Sequence, residues 1–226
     1  MVCSGMRGLM TVLLMIGVTF VDGGGKHYNN AEHDLLCDVL KAAVGLWQNR
    51  ENRNGLLGRA LAQTIFGTRD RVEDVTNIKF PSVYTSPDYR LDWCGDCDDP
   101  SGPYPGRSIS HDLICLCTVG GGGAPFNFGA ETLCGKKQGD LVCEGCTEPF
   151  HLAGGRDHGW DGNQSGKQQL QNTWNKIVLA CLTNGTNGNL KAALDNFTSS
   201  LGGKKQLGGQ GGNCGGDNAV NICVNY

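Results

Sequence analysis

The sequence predicts a mainly α-helical chain in which irregular, disulfide-held structure joins two helical regions. Three observations carry that expectation. Apolar residues recur at helical spacing in an early and a late segment. Every proline falls between residues 81 and 149, and the 226 residues include 12 cysteines and 36 glycines. A chain of this length can bury a core without cross-links, so the cysteines are not there to rescue a miniature fold. The glycines are clustered and not set at every third position, which excludes a collagen-like chain. A net charge of −3 lacks the basic footprint of a nucleic-acid binder.

The first element is a leader. Arg7 precedes an apolar run over 8–21 and a small-residue exit, the layout of a secretory signal peptide. The run falls short of the roughly 20 apolar residues of a membrane-spanning helix. A signal peptide is expected over 1–23, cleaved between Val21 and Gly25, with the mature domain over 24–226; a buried N-terminal helix is the alternative reading.

A helix is expected over 30–66. Asn29 or Asn30 caps it, with Glu32 placed for a reciprocal bond to Asn29. Leu36, Val39, Leu40, Ala43, Leu46 and Trp47 then form one apolar face. The stretch 52–55 is a candidate interruption before Leu56, Leu57, Leu61 and Ile65 resume the stripe. From 80 to 160 the texture changes to a lobe rich in Gly, Pro and Cys. Proline fixes φ and removes a donor, so neither a long helix nor a central strand crosses this lobe. Short pieces such as 110–118 fit between its bridges. Helices return over 166–201: Leu170, Trp174, Ile177, Val178 and Cys181 share a face, and Leu190, Leu194, Phe197 and Leu201 repeat the spacing. The tail, 202–226, is glycine-rich, a mobile loop unless its cysteines tie it down.

Secretion implies oxidation, so the cysteines are read as disulfide candidates: Cys37, Cys94, Cys97, Cys115, Cys117, Cys134, Cys143, Cys146, Cys181, Cys214 and Cys223. Loss of Cys3 with the leader leaves an odd number, hence one unpaired or intermolecular thiol, or a partner further downstream. Three N-glycosylation sequons begin at Asn163, Asn184 and Asn196.

Chemical readings of the same residues are weaker. Cys94/Cys97 and Cys143/Cys146 could be zinc half-sites, but the gap between them far exceeds that of a zinc ribbon. Neither pair has the βαβ setting of a thioredoxin-like motif. Cys115 near His111 invites a Cys–His nucleophile; among so many cysteines a disulfide is the simpler reading, with His111 and Asp112 in a capping arrangement. The glycines at 120–123 lack the Lys-Ser/Thr of a phosphate loop. His151, His158, Asp157 and Asp161 read as a solvated loop before they read as a divalent-metal site. No catalytic, cofactor-binding or metal-ligating residue is assigned, no cofactor is implied, and the chain is not read as an enzyme.

Three stretches carry a family likeness. Residues 31–37 (AEHDLLC) leading to Leu46-Trp47 resemble the start of the first long helix of variant surface glycoproteins of African trypanosomes. Residues 105–118 (PGRSISHDLICLCT) resemble a signature of the congolense-type members. Trp174 and Ile177 through Cys181, followed by the 190–201 stripe, are similar to the return helical region. The resemblance implies a long antiparallel helix pair, in which the 35–47 and 170–181 stripes bury each other, with the cysteine-rich connector as a lobe at one end of the rod. It also implies an N-glycosylated homodimer, met by host antibodies and held to the outer face of the plasma membrane by a C-terminal glycosylphosphatidylinositol. The implied role is an antigenically variable protective coat for immune evasion. Residues 221–226 (NICVNY) show no small-polar-hydrophobic tail of the anchor type, so this chain as written is expected to be released into the medium, a truncated or partial product. A nutrient-uptake receptor or ligand-binding ectodomain on the same scaffold is the alternative function, and a secreted metal-binding or redox domain a third.

Overall fold

The computed structural model describes residues 26–68, 75, 78–95, 102–142, 159–161, 166–186, 188–209, 212–218 and 221–226. The proposed signal peptide therefore lies outside the described residues. What is described is mainly helical, with two small two-stranded sheets.

Helix α1, Asn30–Gln48, follows the 36–47 stripe: Leu36, Leu40, Ala43, Val44 and Trp47 are buried. Its start differs from the expected capping box. Asn29 is the N-cap residue, but its side chain makes no cap bond and its φ is 56°. The side-chain amide instead donates to the carbonyls of Leu116 (2.9 Å) and Ile222 (2.8 Å). Local capping has given way to bonds between segments far apart in sequence.

The interruption expected at 52–55 is present. A 3-10 turn, Arg50–Arg53, separates α1 from α2, Gly55–Phe66. The carbonyls freed at the end of α1 are met from this turn, by the Asn52 amide at Leu46 (3.0 Å) and by Arg53 Nε at Trp47 (2.7 Å). Gly67 then ends α2 in the left-handed conformation, φ 71°, where a side chain would be strained.

Helix α3, Ile109–Cys117, is the centre of the molecule. Every residue from Ser110 to Cys117 is buried, and α1, α2, β4 (Cys223–Asn225) and the Trp174–Val178 turn all pack on it. The short helical piece expected near 110–118 is thus present, but among the described residues the connector is not set aside at the end of a rod. Strand β1, Lys26–Tyr28, pairs in parallel with β2, Ala130–Leu133, which is followed by the short α4, Gln138–Leu141.

The return region is α5, Lys167–Thr173, a π-helical turn, Trp174–Val178, and α6, Leu179–Thr183. Leu170, Trp174, Ile177, Val178 and Cys181 are buried, as the stripe requires. Cys181 is bonded to Cys37, and four residues on Gly185 lies against Val44, so this strand of chain travels in the same sense as α1. It reverses at the turn onto Gly45, where an added Cβ would lie 2.0 Å from the Thr186 carbonyl oxygen. Helix α7, Leu190–Leu201, then leads back along α1, from Gly188 beside Ala42 to Gly208 beside Asn29. The antiparallel neighbour of α1 is therefore α7, while the 170–181 stripe faces a core shared with α3.

The tail is tied down. Strand β3, Gln206–Gly208, pairs antiparallel with β4, Cys214 is bonded to Cys223, and Leu207, Ile222 and Val224 are buried.

Candidate functional site

A wholly buried helix must have its end groups satisfied by protein, since the first N–H and last C=O groups have no partner within it. At the start of α3, Ser108 Oγ accepts the His111 N–H (3.0 Å). At its end, Arg90 Nη2 donates to Cys115 O and Nη1 to Thr118 O (2.8 Å), the Asn29 amide takes Leu116 O, and Thr173 Oγ1 takes Cys117 O (3.3 Å). Arg90 is itself fully buried, over the Trp160 ring at 5.3 Å. Burial lowers its pKa to about 9, against the pull of Asp161. Nothing in the composition of the 80–100 stretch marks Arg90 for this role; only the folded position of the α3 carbonyls does. Replacing Ser108 with alanine removes the cap and is expected to cost about 1 kcal/mol in urea unfolding.

His111 and Asp112 face in different directions. The Tyr84 hydroxyl donates to His111 Nδ1 (2.7 Å), and Nε2–H donates to the Trp93 carbonyl (2.8 Å). Burial lowers its pKa to about 4, and Arg107 adds to the fall. Neutral imidazole with the proton on Nε2 satisfies both bonds. Asp112 accepts the Gly106 N–H (2.8 Å) and the Tyr226 hydroxyl (3.1 Å), yet burial raises its pKa to about 7. The cap expected of this pair is supplied by Ser108; Asp112 instead joins α3 to the last described residue.

These shifts give opposite pH dependences. His111 binds a proton more readily unfolded, so its contribution rises with pH between about 4 and 6.5 and is lost on acidification. Asp112 binds one more readily folded, so its contribution is present below about pH 4 and is lost as pH rises to about 7. Asp112→Asn removes only the second trend. Its unfolding midpoint relative to the unaltered chain is therefore expected to climb steadily from pH 4 to 7, as measured by circular dichroism. A difference independent of pH would show that Asp112 does not titrate in this way.

The eight described cysteines form four bridges: Cys37–Cys181, Cys94–Cys115, Cys117–Cys134 and Cys214–Cys223. None of the described cysteines is free, while Cys97, Cys143 and Cys146 lie outside the described residues. Two His-Cys-Cys clusters occur, His33 with Cys37 and Cys181, and His111 with Cys94 and Cys115. In both, the sulfurs are bonded to each other, and a metal ligand or nucleophile must be thiolate. That removes Cys115 as a nucleophile and Cys94 as a zinc ligand in the oxidised chain. Of the proposed loop cluster only Asp161 is described; His151, Asp157 and His158 are not.

Of the sequon asparagines, Asn184 and Asn196 are exposed, the first after α6 and the second on α7. Asn163 lies outside the described residues. No described helix is long and apolar enough to cross a membrane.

The stapled core, with its polar ends met from distant segments, has the character of a scaffold whose outer turns can vary. A family model described as the trypanosomal VSG domain matches residues 38–226. No curated protein and no solved structure matches the chain.

Proposed function

The chain belongs to the trypanosomal VSG domain family, and on that premise we propose that it is a surface-coat glycoprotein of a trypanosome, one member of an antigenically variable layer that shields the cell from host antibody. The match over residues 38–226 is the observation that carries this reading. The distribution of order supports it. Cross-links and large apolar side chains lie inside, on α1, α3 and α6, whereas no residue of α7 is buried and the 3-10 turn after α1 has none either. Substitution at their exposed positions that make no side-chain bond or core contact is nearly neutral for stability, which lets antigenic character change while the fold is kept.

In this reading the protein is a homodimer carrying glycan at exposed sequons, and its full-length form is held to the plasma membrane by a C-terminal glycosylphosphatidylinositol. Antiserum raised against the folded chain is expected to label live, unpermeabilised cells evenly and to lose all labelling once the cells switch to another coat protein. Labelling only after permeabilisation would overturn the proposal. The glycan part is read separately: the secreted chain is expected to shift in mass on treatment with peptide N-glycosidase, and Asn184→Gln and Asn196→Gln identify which exposed sequon carries the sugar.

A further inference from the structure

Between the end of α2, the segment 78–84 and the turn into α3 lies a cleft of about 640 Å³, a volume typical of small-molecule sites. Its chemistry is uneven. Phe66, Phe80, Tyr84 and Trp174 all line it, with Phe80 edge-on to Trp174 at 6.2 Å and tilted against Tyr84 at 5.8 Å. Two of its lining residues, Lys79 and Arg107, are cationic, and among the described residues no Asp or Glu lines it.

Three neutral polar side chains of the wall, Ser108, Ser110 and His111, are already engaged. Ser110 Oγ donates to the Ile65 carbonyl (2.8 Å), Ser108 caps α3, and both ring nitrogens of His111 are bonded. The cations differ. Arg107 is half-buried and oriented by two neutral carbonyls, Gly67 through Nε (3.1 Å) and Gly102 through Nη1 (2.8 Å). Of its five N–H donors three remain, and no described carboxylate pairs with it. Lys79 is exposed and has no described carboxylate partner. A guanidinium held in place without a counter-ion among the described residues, beside an aromatic wall, is complementary to a flat ring bearing one acidic group.

We propose that this cleft binds a small aromatic anion, one or two rings bearing a carboxylate or sulfonate, with the ring against Phe80 and Trp174 and the acid group at Arg107 and Lys79. The site is independent of the coat assignment: a coat protein without the ligand, or a ligand site on a protein that is no coat, are separate outcomes. Octanoate has the charge without the ring, and naphthalene-2-sulfonamide has the ring without the charge. Naphthalene-2-sulfonate has both.

Isothermal titration of the disulfide-bonded chain tests this. Naphthalene-2-sulfonate is expected to saturate one site per chain, and octanoate and the sulfonamide to bind at least tenfold more weakly. Lys79→Glu, at an exposed position, is expected to leave the unfolding midpoint unchanged and weaken the sulfonate at least tenfold. Raising salt from low to high concentration weakens the same binding in the unaltered chain, because a partly exposed charge pair is screened. Phe80→Leu keeps apolar volume and is expected to weaken the sulfonate more than octanoate. No saturable binding at millimolar ligand, equal affinity for octanoate, or sulfonate affinity indifferent to both Lys79→Glu and salt would each overturn the proposal.

Discussion

Replacing Cys37 and Cys181 together with serine lowers the thermal unfolding midpoint by roughly 4–20 °C. This follows from a loss of about 2–5 kcal/mol at about 2–4 °C per kcal/mol for a chain of this size. The bridge joins residues 144 apart, so cutting it frees the unfolded chain more than cutting any other described bridge. The chain-entropy relation gives about 5 kcal/mol for such a loop and about 3 kcal/mol for the Cys214–Cys223 bridge, whose partners are 9 apart. The matched Cys214→Ser/Cys223→Ser variant should therefore lose less. Position adds to length: Cys37 sits on α1 and Cys181 on α6, and both are buried. A larger loss from the short bridge, measured by calorimetry, would place the effect in native packing and not in chain entropy.

The second large effect is at Arg90. Alanine there leaves a cavity and two buried carbonyls, Cys115 O and Thr118 O, without their donor. Removing one member of a buried charged network typically costs about 3–5 kcal/mol. A graded series separates the causes. Arg90→Met restores much of the volume but no donor, and Arg90→Lys restores one donor group. The expected order of stability is Arg, Lys, Met, Ala in urea denaturation. If Arg90→Ala unfolds within about 1 kcal/mol of the unaltered chain, the end of α3 is not organised by this side chain; a normal surface substitution has an effect of that size or less.

Both effects mark what sequence periodicity conveys. The stripes over 36–47 and 170–181 were legible because each helix has one face in the core and another at its edge, and only one-sided burial leaves a period of 3.6. Helix α3 is buried all round, so its central position left no such trace; a short helical piece was all its residues suggested. The leader and the density of cysteines marked Cys94 and Cys115 as disulfide candidates without showing that they pair. Asn29, Arg90 and Asp112 bond to partners 87, 28 and 114 residues away, separations at which local pattern carries no signal. Asn29 is the sharpest case. It occupies the cap position that its sequence neighbours suggest, and its amide serves α3 instead.

The aromatic-cationic cleft was equally hidden. Phe66, Phe80, Arg107 and Trp174 come from four segments, none of which reads as a binding motif alone. By contrast, the family could be read from the 105–118 stretch, which holds the Ser108 cap, His111, Asp112 and two bridge-forming cysteines. Those residues build the α3 centre, so the most distinctive stretch of sequence is also the one on which the other helices are assembled.

A coat protein built on this core must be displayed outside the cell with its bridges closed. Live cells treated with a membrane-impermeant biotin reagent, followed by non-reducing peptide mapping of the labelled protein, test both parts together. The predicted result is a biotinylated chain in which the Cys37 and Cys181 peptides migrate as one species and separate on reduction. An unlabelled chain retained inside intact cells, or Cys37 recovered as a free thiol from labelled chain, would contradict it.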